Sequence, residues 1–129
     1  MAEPWKSQAR TSLYYRYSFL RLTYTCLFEA STNGGTCFDP LFFHYPYDDE
    51  LYKDYESTFM FANAIKVSPI LQSMPENQTQ YQSYFPQGKW VSLSNLSDIV
   101  DCTAGGKYVN LTVGPIINSH LKEGAIIPY

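Results

Sequence analysis

The sequence has few charged residues and no cluster of basic ones. Only 16% of its 129 residues are charged, and the net charge is −3 at pH 7. Its nine Lys and Arg residues are scattered along the chain, whereas binding to nucleic-acid phosphates needs such residues close together. We therefore expect no nucleic-acid partner.

The chain also lacks a long apolar run. A membrane-spanning helix needs roughly 18 consecutive apolar residues, and no segment reaches that length, so no membrane span is predicted. The first residues, Met1-Ala2-Glu3-Pro4-Trp5, do not contain a basic segment followed by an apolar one. The sequence therefore predicts no signal peptide within this chain.

Motifs for metals and cofactors are missing as well. The cysteines do not have the spacing of zinc ligands, and the glycines do not have the spacing of a phosphate-binding loop. The acidic run at residues 47–58 lacks the ligand spacing and the glycine turn of a calcium loop. We interpret this run as a solvated acidic loop and expect neither a metal nor a cofactor.

Three cysteines, Cys26, Cys37 and Cys102, cannot all pair within one chain. A bridge between Cys26 and Cys37 is conceivable, because one lies near the end of a predicted helix and the other at the start of a predicted strand. We favour buried free thiols, since unpaired cysteine is among the most buried residue types. The disulfide status of all three stays open at this stage.

What is present is a long helical pattern. Glu3-Pro4 or Ser7 can begin the helix, and Gly34-Gly35 can end it. Leucine and tyrosine recur at intervals of three and four residues, which places them on one helical stripe. The stripe consists of Leu13, Tyr17, Leu20, Tyr24 and Leu27.

The helix is followed by a predicted strand from Cys37 to Tyr45. Leu41, Phe42 and Phe43 do not alternate with polar residues, which is typical of a parallel strand covered on both faces. No second unit of a helix and a buried strand follows. The chain therefore does not supply the neighbours that such a strand needs.

Short strands separated by turns begin near residue 72, after a strand predicted at 65–70. Tyr81, Ser83 and Phe85 share one strand face, because side chains in a strand alternate between its two faces. The glycine-containing segments predict turns, one of them a hairpin. These turns lie at Pro86-Gln87-Gly88, at Gly105-Gly106 (the hairpin) and at Lys122-Glu123-Gly124, and a final strand is predicted at 125–127.

Three segments fit the acceptor pattern for N-glycosylation, at Asn77, Asn95 and Asn110. If they are used, the parent protein enters the secretory pathway and is lysosomal or extracellular, with its signal upstream of Met1. The alternative is coincidence in a chain rich in serine and threonine.

Six segments follow one another in the order of a known enzyme family. The segments are Glu3-Pro4-Trp5; Arg16-Tyr17-Ser18-Phe19-Leu20 with Tyr24-Thr25 and Glu29-Ala30; Pro40-Leu41-Phe42-Phe43 with Tyr45-Pro46; Val67-Ser68-Pro69-Ile70-Leu71; Phe85-Pro86-x-Gly88-Lys89-Trp90; and Ile117-Asn118-x-His120-Leu121-Lys122-x-Gly124-x-Ile126-Ile127-Pro128. Together they resemble glycoside hydrolase family 31, the α-glucosidase family, and the last has the form typical of lysosomal and intestinal members.

The resemblance implies a fold class of α/β followed by all-β. Residues 1–71 would be the C-terminal portion of a (β/α)8 catalytic barrel, and residues 72–129 the start of the antiparallel β-sandwich that follows it. The missing barrel strands would then be the neighbours of the predicted strand, so both ends of the chain look cut. Members of the family use two catalytic aspartates, whose motifs lie upstream of the segment matched by Glu3-Pro4-Trp5. No catalytic or substrate-binding residue is therefore carried over to this chain.

Two positions depart from the family pattern. The family's Arg before Pro-Leu-Phe is Asp39 here, and its Glu after Phe-x is His44. One interpretation is a changed contact at the mouth of the barrel. The other, which we favour, is compensated drift in a polar contact that only supports the site. His120 is expected to be a structural histidine at a sheet edge.

The resemblance implies that this chain is a fragment of an α-glucosidase-like hydrolase. The complete parent would bind an α-glucoside and hydrolyse terminal α-linked glucose with retention of configuration. This chain alone is expected to be inactive and to need the remainder of the barrel for folding. The alternatives are a stand-alone carbohydrate-binding β module and a truncated gene model without activity. The sequence leaves open the preferred linkage and the oligomeric state.

Overall fold

Two helices open the chain where the sequence predicted one. The computed structural model describes residues 2–128, in which α1 spans Trp5–Ser18 and α2 spans Leu20–Asn33. Phe19 separates them, because its backbone leaves the helical region (φ −102°, ψ 12°) and its side chain is buried. Gly34 ends α2 with φ at +81°, which confirms the predicted stop, since that conformation favours glycine.

The predicted apolar stripe does not pack against the core of this chain. Its members, named above, are each between 50% and 76% exposed, whereas Phe19 and Leu22 are buried. Helical periodicity identified an apolar face without identifying its partner. No helix among residues 2–128 is long and apolar enough to cross a membrane.

A disulfide joins Cys26 of α2 to Cys37, and Cys102 is a buried free cysteine. The interpretation as buried free thiols was therefore wrong for Cys26 and Cys37 and right for Cys102. The Gly34-Gly35 turn reverses the chain between the two bridged cysteines, which brings them within bonding reach although they are 11 residues apart.

The strand predicted from Cys37 to Tyr45 is much shorter in the structure. β1 spans only Phe38–Pro40, and a 3-10 turn follows at Leu41–Phe43. Leu41 is buried, but Phe43 is 59% exposed, so the prediction of a doubly buried parallel strand was wrong. A short apolar run is compatible with a strand or with a helical turn, and here the turn lets Leu41 alone enter the core.

Seven more strands follow β1 in the described residues. They are Phe59–Phe61 (β2), Ile65–Ser68 (β3), Gln80–Phe85 (β4), Gly88–Ser92 (β5), Ile99–Cys102 (β6), Lys107–Thr112 (β7) and Asn118–Lys122 (β8). The eight strands form two sheets in which every pair is antiparallel: a six-stranded sheet has the order β1-β2-β3-β8-β5-β6, and β4 pairs with β7 in a separate two-stranded sheet. Because β3 pairs with β8, the six-stranded sheet contains residues from both sides of the predicted boundary at 71/72.

Three predictions in this region were wrong, because the local sequence does not specify which strands pair. Gly105-Gly106 connects β6 to β7, which lie in different sheets, so no hairpin forms there. His120 lies on β8 between two neighbouring strands and is therefore not at an edge. Within the described residues, 125–127 form no strand.

The six-stranded sheet is covered on both faces. On one side, Phe19 and Leu22 pack in a cluster with Ile65 and Val67 of β3. On the other side, Trp90 lies in a second cluster with residues of β4 and β7 and of the two 3-10 turns. Successive residues of β3 alternate between these faces, so Lys66 and Ser68 point toward the two-stranded sheet.

Candidate functional site

The two residues that depart from the family pattern contact each other. Asp39 lies in the middle of β1 and is only 4% exposed. Its Oδ2 atom lies 3.0 Å from Nε2 of His44, and its Oδ1 atom accepts a hydrogen bond from the Thr36 hydroxyl. The 3-10 turn after β1 returns the chain and brings His44 to this carboxylate. The two departures from the family pattern thus lie in one polar contact, and their interpretation as compensated drift stays a prediction.

A cavity of about 310 Å³ lies beside this pair. Its walls include Cys26 of the disulfide, Glu29 of α2 and Asn63. A retaining glycosidase needs two carboxyl groups, a nucleophile and an acid/base, on either side of the scissile bond. Asp39 is buried and already bonded to two partners, so its carboxylate is not available as a nucleophile.

This geometry predicts an energetic coupling between Asp39 and His44. Asp39→Ala leaves the Thr36 hydroxyl and the His44 ring without their acceptor, which should cost about 1–3 kcal/mol of unfolding free energy. Urea denaturation of the complete protein, carried out on the two single variants and the double variant, measures the coupling. We expect at least about 0.5 kcal/mol.

The exposed residue Asp101 provides the matched control for this cycle. Asp101→Ala combined with His44→Ala should give additive losses of stability, because Asp101 bonds to Thr103 instead. Additive losses in the Asp39–His44 cycle as well would contradict the coupling.

A second polar cluster lies buried between the two sheets. The Lys66 ammonium donates hydrogen bonds to Ser68 Oγ at 2.6 Å and Ser83 Oγ at 2.7 Å, and it lies 4.0 Å from the centre of the Phe85 ring. The side chain is fully buried, and no carboxylate is among these partners. Hydroxyl groups and an aromatic face therefore stand beside this amine where a carboxylate would usually be expected.

Burial changes the protonation of this cluster. Desolvation lowers the pKa of Lys66 to about 7, because the charged form loses its hydration. His120 of β8 pairs with Lys66 of β3. Burial and the Lys66 charge lower the pKa of His120 to about 4. Nδ1 of His120 is buried without a hydrogen-bond partner among the described residues, so the neutral imidazole is the form that the fold accepts.

The local sequence does not mark Lys66 as a notable residue. A lysine and a serine that alternate with Ile65 and Val67 are typical of a strand with one solvated face, yet all four residues of β3 are buried. The second sheet supplies the cover, and nothing in the local sequence signals it.

The acidic run at 47–58 is anchored to the second sheet. Asp48 accepts a hydrogen bond from the Tyr84 hydroxyl at 2.7 Å, and Glu50 accepts one from Tyr108 at 3.0 Å and one from Lys53 at 2.5 Å. The bonds from Lys53 and Tyr108 lower the pKa of Glu50. Asp49, Asp54 and Glu56 are exposed, as expected of a solvated acidic loop, whereas Asp48 and Glu50 are partly covered. The described residues contain no group of three or more His, Cys, Asp or Glu that could hold a metal ion.

All three predicted glycosylation sites are exposed. Asn77 lies in the turn that Gln78 closes by donating its N–H to the Pro75 carbonyl at 3.0 Å. Asn95 accepts a hydrogen bond from the Ser97 backbone at 3.2 Å, and Asn110 lies on β7 opposite Gln82. Exposure makes each asparagine accessible, and their use stays a prediction.

Residues 34–127 match the Glycosyl hydrolase family 31 C-terminal domain. A probable alpha-glucosidase of Oryza sativa subsp. japonica is 37% identical over 127 residues, which is 95% of this chain and 14% of the relative. Lysosomal alpha-glucosidase of Mus musculus is 28% identical over 136 residues, or 92% of this chain and 14% of the relative. The chain thus spans about one-seventh of the length of these relatives.

The fold has solved counterparts. A GH31 dextranase of Flavobacterium johnsoniae, complexed with glucose, superposes with a TM-score of 0.81 at 24% identity. The match covers 98% of this chain and 16% of that one. At this identity the likeness establishes the fold alone.

Proposed function

This chain belongs to glycosyl hydrolase family 31, and on that basis we propose that it is a non-catalytic part of an α-glucosidase. In the complete protein it closes the catalytic barrel and begins the β-sandwich beside it. The complete protein hydrolyses terminal α-linked glucose with retention of configuration, through two aspartates outside this chain.

The exposed face of the two helices is the observation that carries this proposal. Leu13, Tyr17 and Leu20 lie on it at half exposure or more, and large exposed apolar side chains grouped on one part of a surface are typical of an interaction site. The preceding helices and strands of a (β/α)8 barrel are its proposed cover, since the outer helices of such a barrel pack against one another and against its strands. This chain therefore needs the remainder of the barrel for full stability.

The boundary between barrel and sandwich at 71/72 stays a prediction. The sheet that joins β3 to β8 favours a division nearer residue 34, where the family match begins. On that division, α1 and α2 are the barrel elements, and the residues after Gly34 are the start of the following domain.

An activity assay tests the proposal directly. The complete protein should release glucose from maltose, and the purified 129-residue chain should release none. Turnover by the isolated chain would mean that the catalytic carboxylates lie within it. Absence of turnover by the complete protein would overturn the proposed activity.

We also propose that the protein enters the secretory pathway and works in a lysosome or outside the cell. The three exposed sequons support this, as does its mouse relative, a lysosomal alpha-glucosidase. Expressed through a eukaryotic secretory pathway, the protein should carry glycans at Asn77, Asn95 and Asn110.

Intact-mass measurement of single Asn→Gln variants checks this prediction. Each of the three substitutions should remove the mass of one glycan. Asn33→Gln is the matched control, because Asn33 is exposed but lies outside any sequon. This substitution should leave the glycan mass unchanged. Unmodified asparagines at all three positions would contradict the prediction.

A further inference from the structure

A cleft of about 580 Å³ lies between the acidic loop, the connection at residues 69–74 and the two-stranded sheet. Its volume falls in the range of roughly 300–1,000 Å³ that small-molecule sites occupy. None of the described residues that line it also lines the cavity beside Asp39. The cleft is therefore a separate place on the molecule.

Two tyrosines in this cleft are held in fixed positions. The Tyr84 hydroxyl donates to Asp48 Oδ2 at 2.7 Å, and the Tyr108 hydroxyl donates to Glu50 Oε2 at 3.0 Å. Their rings pack edge to face, with centres 5.1 Å apart and planes at 62°. Tyr108 is nevertheless 53% exposed. A ligand would meet aromatic surfaces that are already ordered, which lowers the entropic cost of binding.

Gly106 makes the position of Tyr84 possible. A Cβ atom at residue 106 would lie 2.0 Å from the Tyr84 hydroxyl and 3.1 Å from Oδ2 of Asp48. Any side chain there would therefore displace the ring or break its hydrogen bond. Gly106, which was predicted to form a hairpin turn, thus makes room for Tyr84 and for the Asp48 carboxylate that accepts its hydrogen bond.

The polar lining of the cleft fits hydroxyl groups better than anionic groups. Among the described lining residues there is no Lys, Arg or His, whereas three carboxylates, Glu50, Asp54 and Glu56, line the cleft. Glu50 is bonded to Lys53 and Tyr108 and Asp54 accepts from the Ser57 hydroxyl, and the exposed Glu56 carboxylate can accept hydrogen bonds from the hydroxyl groups of a ligand. Gln78 and Gln82 add exposed amides, which both donate and accept hydrogen bonds.

We propose that this cleft binds a short, neutral oligosaccharide of α-linked glucose, outside the catalytic site. Tyr108 offers its ring to the C–H face of a sugar, and the amide and carboxylate groups bind the sugar hydroxyls. The choice of glucose as the sugar rests on the proposed function, whereas the fit to a polyhydroxylated ligand rests on the cleft alone.

Native gel electrophoresis of the complete protein through gels containing amylopectin tests the proposal. The wild type should be retarded, and Tyr108→Ala should need an amylopectin concentration about fivefold to tenfold higher for half-maximal retardation. Gly106→Ala should weaken retardation as well while keeping both tyrosines. Tyr47→Ala is the matched control, because Tyr47 is 98% exposed and lies outside the cleft.

Glucose release from maltose by the same variants separates this proposal from the proposed function. Unchanged maltose turnover with weakened retardation in Tyr108→Ala supports the cleft. Equal retardation of Tyr108→Ala and Tyr47→Ala overturns it, whatever the activity. Retardation that depends on Tyr108 in a protein without turnover supports the cleft and overturns the proposed function. A wild type that binds a lysine-rich peptide but not amylopectin identifies a different ligand and overturns the proposal.

Discussion

Raising the pH from about 7 to about 10 is expected to stabilise this domain through Lys66. The pKa of Lys66 is about 7 in the fold and about 10.4 in an unfolded chain. Between these values the unfolded chain binds a proton that the folded chain does not, so the free energy of unfolding rises with pH. The slope is about 1.4 kcal/mol per pH unit, and the whole window amounts to about 5 kcal/mol.

Urea denaturation of the complete protein between pH 7.5 and 9.5 measures this slope. Lys66→Met should remove it, and Lys89→Met is the matched control, because Lys89 is exposed and its loss should leave the slope intact. Burial also raises the pKa of Cys102 and, to about 12, that of Tyr45. These groups oppose the effect at the alkaline end, and comparison with Lys66→Met cancels their contribution. Equal slopes in wild type and Lys66→Met would contradict the prediction.

Trp90→Ala is expected to be the most damaging single truncation in the core. Trp90 is fully buried, it lies edge to face with Phe85 at 6.0 Å, and its ring centre is 6.3 Å from that of Tyr45. Its indole N–H donates to the Pro86 carbonyl at 3.1 Å. Removal of the ring opens a cavity between the two sheets and leaves that carbonyl without its donor. We expect a loss of about 3–5 kcal/mol.

The urea midpoint of the complete protein at one fixed pH measures this loss. Trp90→Phe should cost less, because it keeps most of the ring volume and loses mainly the hydrogen bond. Tyr47→Ala removes an aromatic ring that is 98% exposed and should change stability by no more than about 0.5 kcal/mol. A midpoint for Trp90→Ala within the range of this control would contradict the assigned core.

The sequence was most informative where one local rule dominates. Gly34 ended a helix, as predicted, and adopts a positive φ. The strand predicted at 65–70 is present as Ile65–Ser68, and Tyr81, Ser83 and Phe85 share the more buried face of β4. Family membership was also readable, because ordered short segments need no knowledge of contacts, and the family match at residues 34–127 confirms it.

Long-range pairing could not be read in the same way. The glycine residues correctly indicated where the chain turns. They did not indicate that the chain crosses from one sheet to the other at Gly105-Gly106. Cys26 and Cys37 meet because of the turn between them. Asp39 and His44 read as two separate departures from a pattern until the 3-10 turn placed them 3.0 Å apart.

The sequence by itself determined the family, the local turns and the alternation of side chains along each strand, because each of these depends on neighbouring residues. Only the tertiary structure decided which surfaces are covered. The apolar stripe on α1 and α2 is exposed here, whereas Lys66 is fully buried, the reverse of what polarity alone predicts. The reason is physical: burial depends on which element packs opposite. The second sheet lies over β3, whereas every member of that stripe is at least half exposed within residues 2–128.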